Sequence, residues 1–155
     1  MSCIVCATRG GEGSRAVQLE AIRRSKETAV PLTFLYVTDP ETVGEGVDAS
    51  LLPALRAELD WMGSALMHIA RHRAELAGLE AGFVIRHGRV RDEIARYLDE
   101  SAAELLLLGA PRGSTANVFG DDAVEQFARA IQDKTGVPVE VIHPNAIQED
   151  DPTHG

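Results

Sequence analysis

Two loops of this 155-residue chain carry the residue types that bind anions. The first is Thr8-Arg9-Gly10-Gly11-Glu12-Gly13, and the second is Ala110-Pro111-Arg112-Gly113-Ser114-Thr115, which follows an apolar run ending at Gly109. Glycines let a turning backbone present several amides to one anion, an arginine adds a two-pronged donor, and hydroxyls can donate to phosphate oxygens. The two loops therefore predict a phosphate site, and the alternative is an ordinary glycine turn with a solvated arginine.

Other chemistry-bearing patterns are weak. The chain contains neither the nucleophile elbow G-x-S-x-G nor the phosphate loop G-x-x-x-x-G-K-[ST]. His68 and His72 share a helix face but lack the H-E-x-x-H pattern and have arginine neighbours, so we expect surface histidines and no metal site. His87 comes before Gly88, where it either lines a ligand cleft or caps a loop. We predict that the protein is not an enzyme, with weak nucleotide hydrolysis left open.

Composition and charge narrow the class of partner. The chain is 45% hydrophobic and 25% charged, and its net charge of -9 argues against nucleic acid and against an anionic membrane surface. No apolar run approaches the length of a membrane span, and we expect a cytoplasmic protein. Cys3 and Cys6 are three apart on a predicted strand, where their side chains point to opposite faces. We therefore expect two buried free thiols and no disulfide.

The apolar pattern alternates between short runs and long helical stripes, which is typical of β-α-β units with a parallel sheet. Between the strands, one long stripe recurs every three or four positions, and we expect it to face the core. We predict an α/β fold, a single doubly wound sheet in the order 3-2-1-4-5 with helices on both faces, over residues 1–143, followed by a polar acidic tail at 144–155. The predicted strands are Ser2 to Ala7, Leu32 to Val37, Gly82 to Arg86, Glu104 to Gly109 and Val139 to His143. The long stripe consists of Leu55, Leu59, Met62, Leu66, Ile69 and Leu76, and Ser14 is the predicted N-cap of the first helix.

In such a sheet the winding reverses between the first and fourth strands, and ligands bind in the crevice at that point. The crevice is bordered by the two glycine-containing loops. The predicted ligand site is therefore the cleft between the loop after the first strand and the loop after the fourth.

Several segments resemble the universal stress proteins. They are Ile4-Val-Cys-Ala-Thr8-Arg9-Gly-Gly with Ser14 following, Phe34-Leu-Tyr-Val37, Gly88-Arg-Val-Arg-Asp-Glu-Ile94, and Leu105-Leu-Leu-Leu-Gly109 with the later Thr-Gly-Val-Pro138-Val-Glu-Val-Ile. The resemblance covers about residues 2–143. It implies a sensor or regulator in stress response that binds an adenine nucleotide (ATP, ADP or AMP) or another phosphorylated metabolite. It also implies a homodimer, which we expect to form through the last strand because an exposed strand edge favours association.

The resemblance also places the ligand contacts. Backbone and hydroxyl groups would bind the ligand, and Arg9 and Arg112 would supply positive charge. Val37 would contact the base of the nucleotide. The full set is Thr8, Arg9, Gly10, Gly11, Val37, Gly109, Arg112, Gly113, Ser114 and Thr115.

This chain departs from the family's nucleotide-binding motif at three points. Gly109 and Gly113 are separated by three residues where the motif has two, the later Gly-Ser is missing, and Arg9 stands where the family has an adenine-reading aspartate. Each departure weakens the case for ATP in particular.

Two alternative hypotheses therefore stay open. One is a dimeric interaction module of the same family that binds no nucleotide. The other is a dinucleotide (NAD) sensor, since Gly11-Glu-Gly13-Ser-Arg-Ala16 fits the G-x-G-x-x-A form after a strand and Asp39 could bind the ribose.

Overall fold

The computed structural model describes residues 2–8, 12–39, 46–109 and 123–143. Strands and α-helices alternate along these residues, with a short 3-10 helix, Ala49–Leu51, ahead of the second α-helix. The strands are β1 (Cys3–Ala7), β2 (Leu32–Thr38), β3 (Gly82–His87), β4 (Ala103–Gly109) and β5 (Val139–Ile142). The α-helices are α1 (Glu12–Thr28), α2 (Leu52–Leu76), α3 (Val90–Ser101) and α4 (Ala123–Thr135). The acidic tail predicted at 144–155 lies outside the described residues.

The five strands form one sheet in the order β3-β2-β1-β4-β5, and every neighbouring pair is parallel. This confirms the predicted α/β fold and strand order. The central strands are nearly continuous apolar runs because helices cover both faces of a parallel sheet. Cys6, for example, pairs with Phe34 on one side and with Leu107 on the other, and all three side chains are fully buried.

Two strands extend one residue further at their carboxyl ends than the sequence predicted, and β4 begins one residue earlier, at Ala103. Thr38 continues β2 and His87 continues β3, because the two residues are partners in the ladder between these strands. The strands were predicted from apolar runs, and neither Thr38 nor His87 continues such a run. Their pairing places a hydroxyl and an imidazole together at the carboxyl edge of the sheet.

A hydrophobic cluster covers each face of the sheet. One contains Cys3 and packs against α3 and α4, whereas the other contains Cys6 and packs against α1 and α2. Both cysteines are free and buried, which confirms the prediction for the two thiols. Residues that alternate along β1 therefore enter opposite cores, as the period of a strand requires.

The prediction for α2 is partly wrong, although Leu66 of the predicted stripe packs half-buried against the core. The face buried against the sheet consists of Leu59, Gly63, Met67, Ala70 and Ala74. Only Leu59 of the predicted stripe is among them, while Met62, Ile69 and Leu76 are exposed. Both stripes have helical spacing, and small residues occupy the buried one because α2 lies close to the sheet. At Gly63, an added Cβ would come 2.7 Å from ring carbons of Tyr36.

The N-cap predicted at Ser14 is also wrong, because α1 begins at Glu12 and Ser14 lies inside the helix. Among the described residues, no helix combines the length and the apolar character that a membrane crossing requires.

Candidate functional site

Thr8, Val37 and Gly109, three of the predicted site residues, lie at the carboxyl edge of the sheet. Ala7 pairs with Leu108 of β4, so Thr8 comes level with Gly109. The Thr8 backbone N–H donates to the carbonyl oxygen of Leu35 at 2.9 Å, which anchors the end of β1 to β2. The structure therefore brings the ends of β1 and β4 side by side at the predicted crevice.

The remaining predicted site residues lie outside the described residues. They are Arg9, Gly10 and Gly11 of the first loop, and Arg112, Gly113, Ser114 and Thr115 of the second. Their roles stay predictions.

Val37 lies near the end of β2 but is almost fully buried, at 7% exposure, and belongs to the hydrophobic cluster beneath α3. Its side chain packs with Leu35 and Ile94 in that cluster. Its role as a wall for a ligand base stays a prediction.

A chain of polar contacts leads from α2 to the end of β1. Arg73 Nη1 of α2 donates to Gln18 Oε1 of α1 at 2.5 Å, and Gln18 Nε2 donates to Thr8 Oγ1 at 2.9 Å. Gln18 and Thr8 are each only 3% exposed. Buried polar groups are stable when hydrogen-bonded, and this relay satisfies both ends of the Gln18 amide. The relay connects a half-buried cation to the hydroxyl at the crevice.

The charge of Arg73 has no carboxylate partner among the residues that the structure describes. Burial lowers the pKa of its guanidinium, and the nearby Arg15 cation lowers it further. Among the described residues, the structure gives Arg73 a neutral amide as its hydrogen-bond partner. Arg24 differs, since it lies 2.7 Å from a Glu20 oxygen and 2.6 Å from a Glu140 oxygen.

A second polar cluster lies at the ends of β2 and β3. His87 Nδ1 is 3.0 Å from Thr38 Oγ1, and His87 Nε2 is 2.7 Å from Asp60 Oδ1 on α2. The Gly88 N–H donates to the Thr38 carbonyl oxygen at 2.9 Å. Gly88 has φ of 138°, and an added Cβ would come 3.1 Å from the buried Glu93. His87 was expected either to line a ligand cleft or to cap a loop, and both roles stay open. Its ring contacts Thr38 and Asp60 at the end of β3, and it lies on the same edge of the sheet as the crevice.

The universal stress protein family model matches residues 1–143, which is most of the chain. The chain belongs to the universal stress protein family. No curated protein matches it.

Solved structures of universal stress proteins share its fold. UspA of Lactobacillus plantarum is 19% identical with a TM-score of 0.72, covering 91% of this chain and 97% of that one. An Arabidopsis thaliana family protein with AMP bound is 17% identical with a TM-score of 0.62, covering 100% of both chains. The Archaeoglobus fulgidus universal stress protein in complex with dAMP is 19% identical with a TM-score of 0.57, covering 92% of this chain and 98% of that one. At such identities the likeness shows the fold alone.

In this universal stress protein, sequence reasoning missed Gln18, Arg73, Thr38 and Asp60. One signal could have found Gln18, because it interrupts an otherwise apolar or small stripe of α1 that includes Val17, Ala21 and Ile22. The other three gave no comparable signal, since their contacts join elements distant in sequence.

The described residues were also searched for a metal site and for a second cavity. These residues contain no group of three or more His, Cys, Asp and Glu side chains placed to hold a metal ion. A groove of about 780 Å³ runs along α3 from Asp92 to Asp99, beside the last turn of α4 and next to Ala103 where β4 begins. It is therefore at the amino edge of the sheet, opposite the crevice.

Proposed function

We propose that this protein binds an adenine nucleotide or another phosphorylated metabolite in the cleft between the β1 and β4 loops, and acts as a sensor or regulator in a stress response. The observation that carries the proposal is the level placement of Thr8 and Gly109 at the reversal of the sheet's winding. The family supports it, since two of its solved members hold AMP and dAMP.

In this proposal the backbone amides around Gly10, Gly11, Gly109 and Gly113 approach the phosphate. The hydroxyls of Thr8, Ser114 and Thr115 donate to the ligand, Arg9 and Arg112 supply positive charge, and Val37 bounds the base. The net charge of -9 makes this local positive charge necessary for holding an anion. No metal and no catalytic step are part of the proposal.

Calorimetric titration with AMP tests the binding, with ATP and NAD titrated in parallel. We expect AMP to bind and Arg112→Ala to weaken it by about 1 to 3 kcal/mol, the scale of a charge-assisted hydrogen bond. Arg129→Ala on α4 is the matched control, and its affinity should be unchanged. Absence of AMP and ATP binding would contradict the adenine-nucleotide part of the proposal, and binding of NAD in place of AMP would favour the dinucleotide hypothesis.

The second candidate is a dimeric interaction module that binds no nucleotide. It is favoured by Arg9 at the position of the family's aspartate and by the missing Gly-Ser. Mass spectrometry of the freshly purified protein separates the two candidates, because a co-purified adenine compound contradicts this second one.

We also propose a homodimer through β5. Among the described residues this strand pairs only with β4 and ends the sheet, and although its Val139 N–H donates to Gln132 Oε1 at 3.0 Å, the rest of its outer edge pairs with no other strand. Val141→Pro removes one backbone donor from β5 and should yield a monomer in light scattering. A variant that stays dimeric would contradict this interface.

A further inference from the structure

The orientation of the Gln18 amide is fixed by its partner on α2. Arg73 Nη1 lies 2.5 Å from one end of that amide. A guanidinium can donate hydrogen bonds but cannot accept them. The Gln18 atom facing Arg73 must therefore be Oε1, and the atom facing β1 must be Nε2.

This orientation determines the role of the Thr8 hydroxyl. Gln18 Nε2 lies 2.9 Å from Thr8 Oγ1, and an amide nitrogen only donates. Thr8 Oγ1 therefore accepts from Gln18, and its own hydrogen is directed to an acceptor other than Gln18. Thr8 follows β1 at the crevice and is only 3% exposed, and the ligand proposed there would supply the acceptor.

We propose that Arg73 and Gln18 are positioning residues that make the Thr8 hydroxyl a hydrogen-bond donor to an acceptor oxygen or nitrogen of the bound nucleotide. The inference rests on the proposed function, and it specifies that Thr8 donates the hydrogen bond in its contact with the ligand. Arg73 and Gln18 touch no ligand in this scheme; they act through Thr8.

The inference depends on the side chain at position 18 being a neutral amide and not a carboxylate. A carboxylate there would accept from Arg73 and from Thr8 together, and the Thr8 hydrogen would turn away from the ligand. A carboxylate would also compensate the half-buried Arg73 cation, whose pKa is lowered by burial and by Arg15. A cation whose partner within the described part of the chain is a glutamine and not a carboxylate fits a requirement on Thr8 better than a requirement on stability.

Gln18→Glu tests the inference because the two side chains have the same shape. We expect the AMP affinity to fall about tenfold, the loss of one hydrogen bond. We expect the melting temperature to stay equal or to rise, because Arg73 gains an ion pair. Unchanged AMP affinity in this variant would overturn the inference.

Position 8 supplies the controls. Thr8→Ser keeps the hydroxyl and should keep the affinity, whereas Thr8→Val should lose about tenfold. Gln18→Glu also adds a negative charge, so the substitution is repeated in the Thr8→Val background, where we expect no further loss. An equal loss in both backgrounds would show a direct charge effect and would overturn the inference.

A ligand-free measurement separates this inference from the proposed function. In nuclear magnetic resonance spectra of the unliganded protein, the Gln18 side-chain amide protons should show cross-relaxation with the Thr8 methyl group. They should also exchange slowly with water, and faster in Thr8→Val. Amide protons that contact Arg73 in place of Thr8 would overturn the inference, whereas failure of the unsubstituted protein to bind AMP and ATP contradicts the adenine-nucleotide part of the proposed function.

Discussion

His87 Nε2 lies 2.7 Å from Asp60 Oδ1, and this contact joins the last residue of β3 to α2. The opposite ring nitrogen lies 3.0 Å from Thr38 Oγ1. One imidazole therefore ties two strands and a helix together at the edge of the sheet that carries the candidate site.

The two contacts of His87 should differ in their contribution to stability. The Asp60 side chain is 55% exposed and His87 45%, so we expect Asp60→Ala to lower the free energy of unfolding by less than about 1 kcal/mol. Thr38 is 7% exposed, and Thr38→Val should cost about 1 kcal/mol or more because a buried partner is lost. Urea unfolding measures both. A larger loss for Asp60→Ala would contradict the ranking.

Gly63 permits the close approach of α2 to β2. Because a Cβ there would come 2.7 Å from two ring carbons of the buried Tyr36, we expect Gly63→Ala to lower stability by about 1 to 3 kcal/mol, despite the higher helix propensity of alanine. Gly82→Ala is the control, because its Cβ would meet nothing within 4 Å. Thermal unfolding measures both variants, and an unchanged Gly63→Ala would mean that α2 can move away from the sheet without cost.

Stability should fall in mild acid through two carboxylates that contact Arg24. Arg24 lowers the pKa of Glu140, and Arg23 together with Arg24 lowers the pKa of Glu20. A lowered pKa in the folded state means that the unfolded chain binds more protons, so this stabilisation is complete above the ordinary value of 4.5 and is lost as pH falls through the lowered values.

The urea midpoint at pH 6 and at about pH 3.5 measures this loss. Arg24→Gln should show a shallower decline than the unsubstituted protein, because both carboxylates lose a cation. Parallel declines would assign the acid sensitivity to other groups.

The two stripes of α2 should respond differently to truncation. Leu59 is 8% exposed, and Leu59→Ala should cost about 2 to 4 kcal/mol through lost burial and the cavity left behind. Ile69 is 48% exposed, and Ile69→Ala should cost less than about 1 kcal/mol. Urea unfolding compares them, and comparable costs would place Ile69 in the core as the sequence suggested.

The sequence predicted the sheet better than the helices. Residues 105–108 are an unbroken leucine run, and a short apolar run of this kind is typical of a strand covered on both faces. On α2, the periodicity fitted two neighbouring stripes equally well, and larger side chains made the wrong one more conspicuous. Gly63, Ala70 and Ala74 face the sheet because proximity to Tyr36 and its neighbours favours small residues.

The location of the candidate site followed from the topology, because the order of alternating strands fixes where the winding reverses. The polar contacts behind it did not follow. The relay from Arg73 through Gln18 to Thr8 spans three elements, and a pair separated by 55 positions leaves no local pattern. Contacts of this kind can be identified only from the positions of the helices on the sheet, which the sequence pattern does not give.

The side chains of Cys3 and Cys6 lie on opposite faces of β1, one in each hydrophobic cluster. Burial raises the pKa of the Cys6 thiol, and a thiol reacts mainly as its thiolate. Each sulfur is thus shielded by a different pair of helices. The rate at which a thiol-specific reagent labels Cys6 would measure transient opening of the α1–α2 layer, and the rate at Cys3 would measure opening of the α3–α4 layer. The two cysteines therefore report separately on the two faces of the sheet.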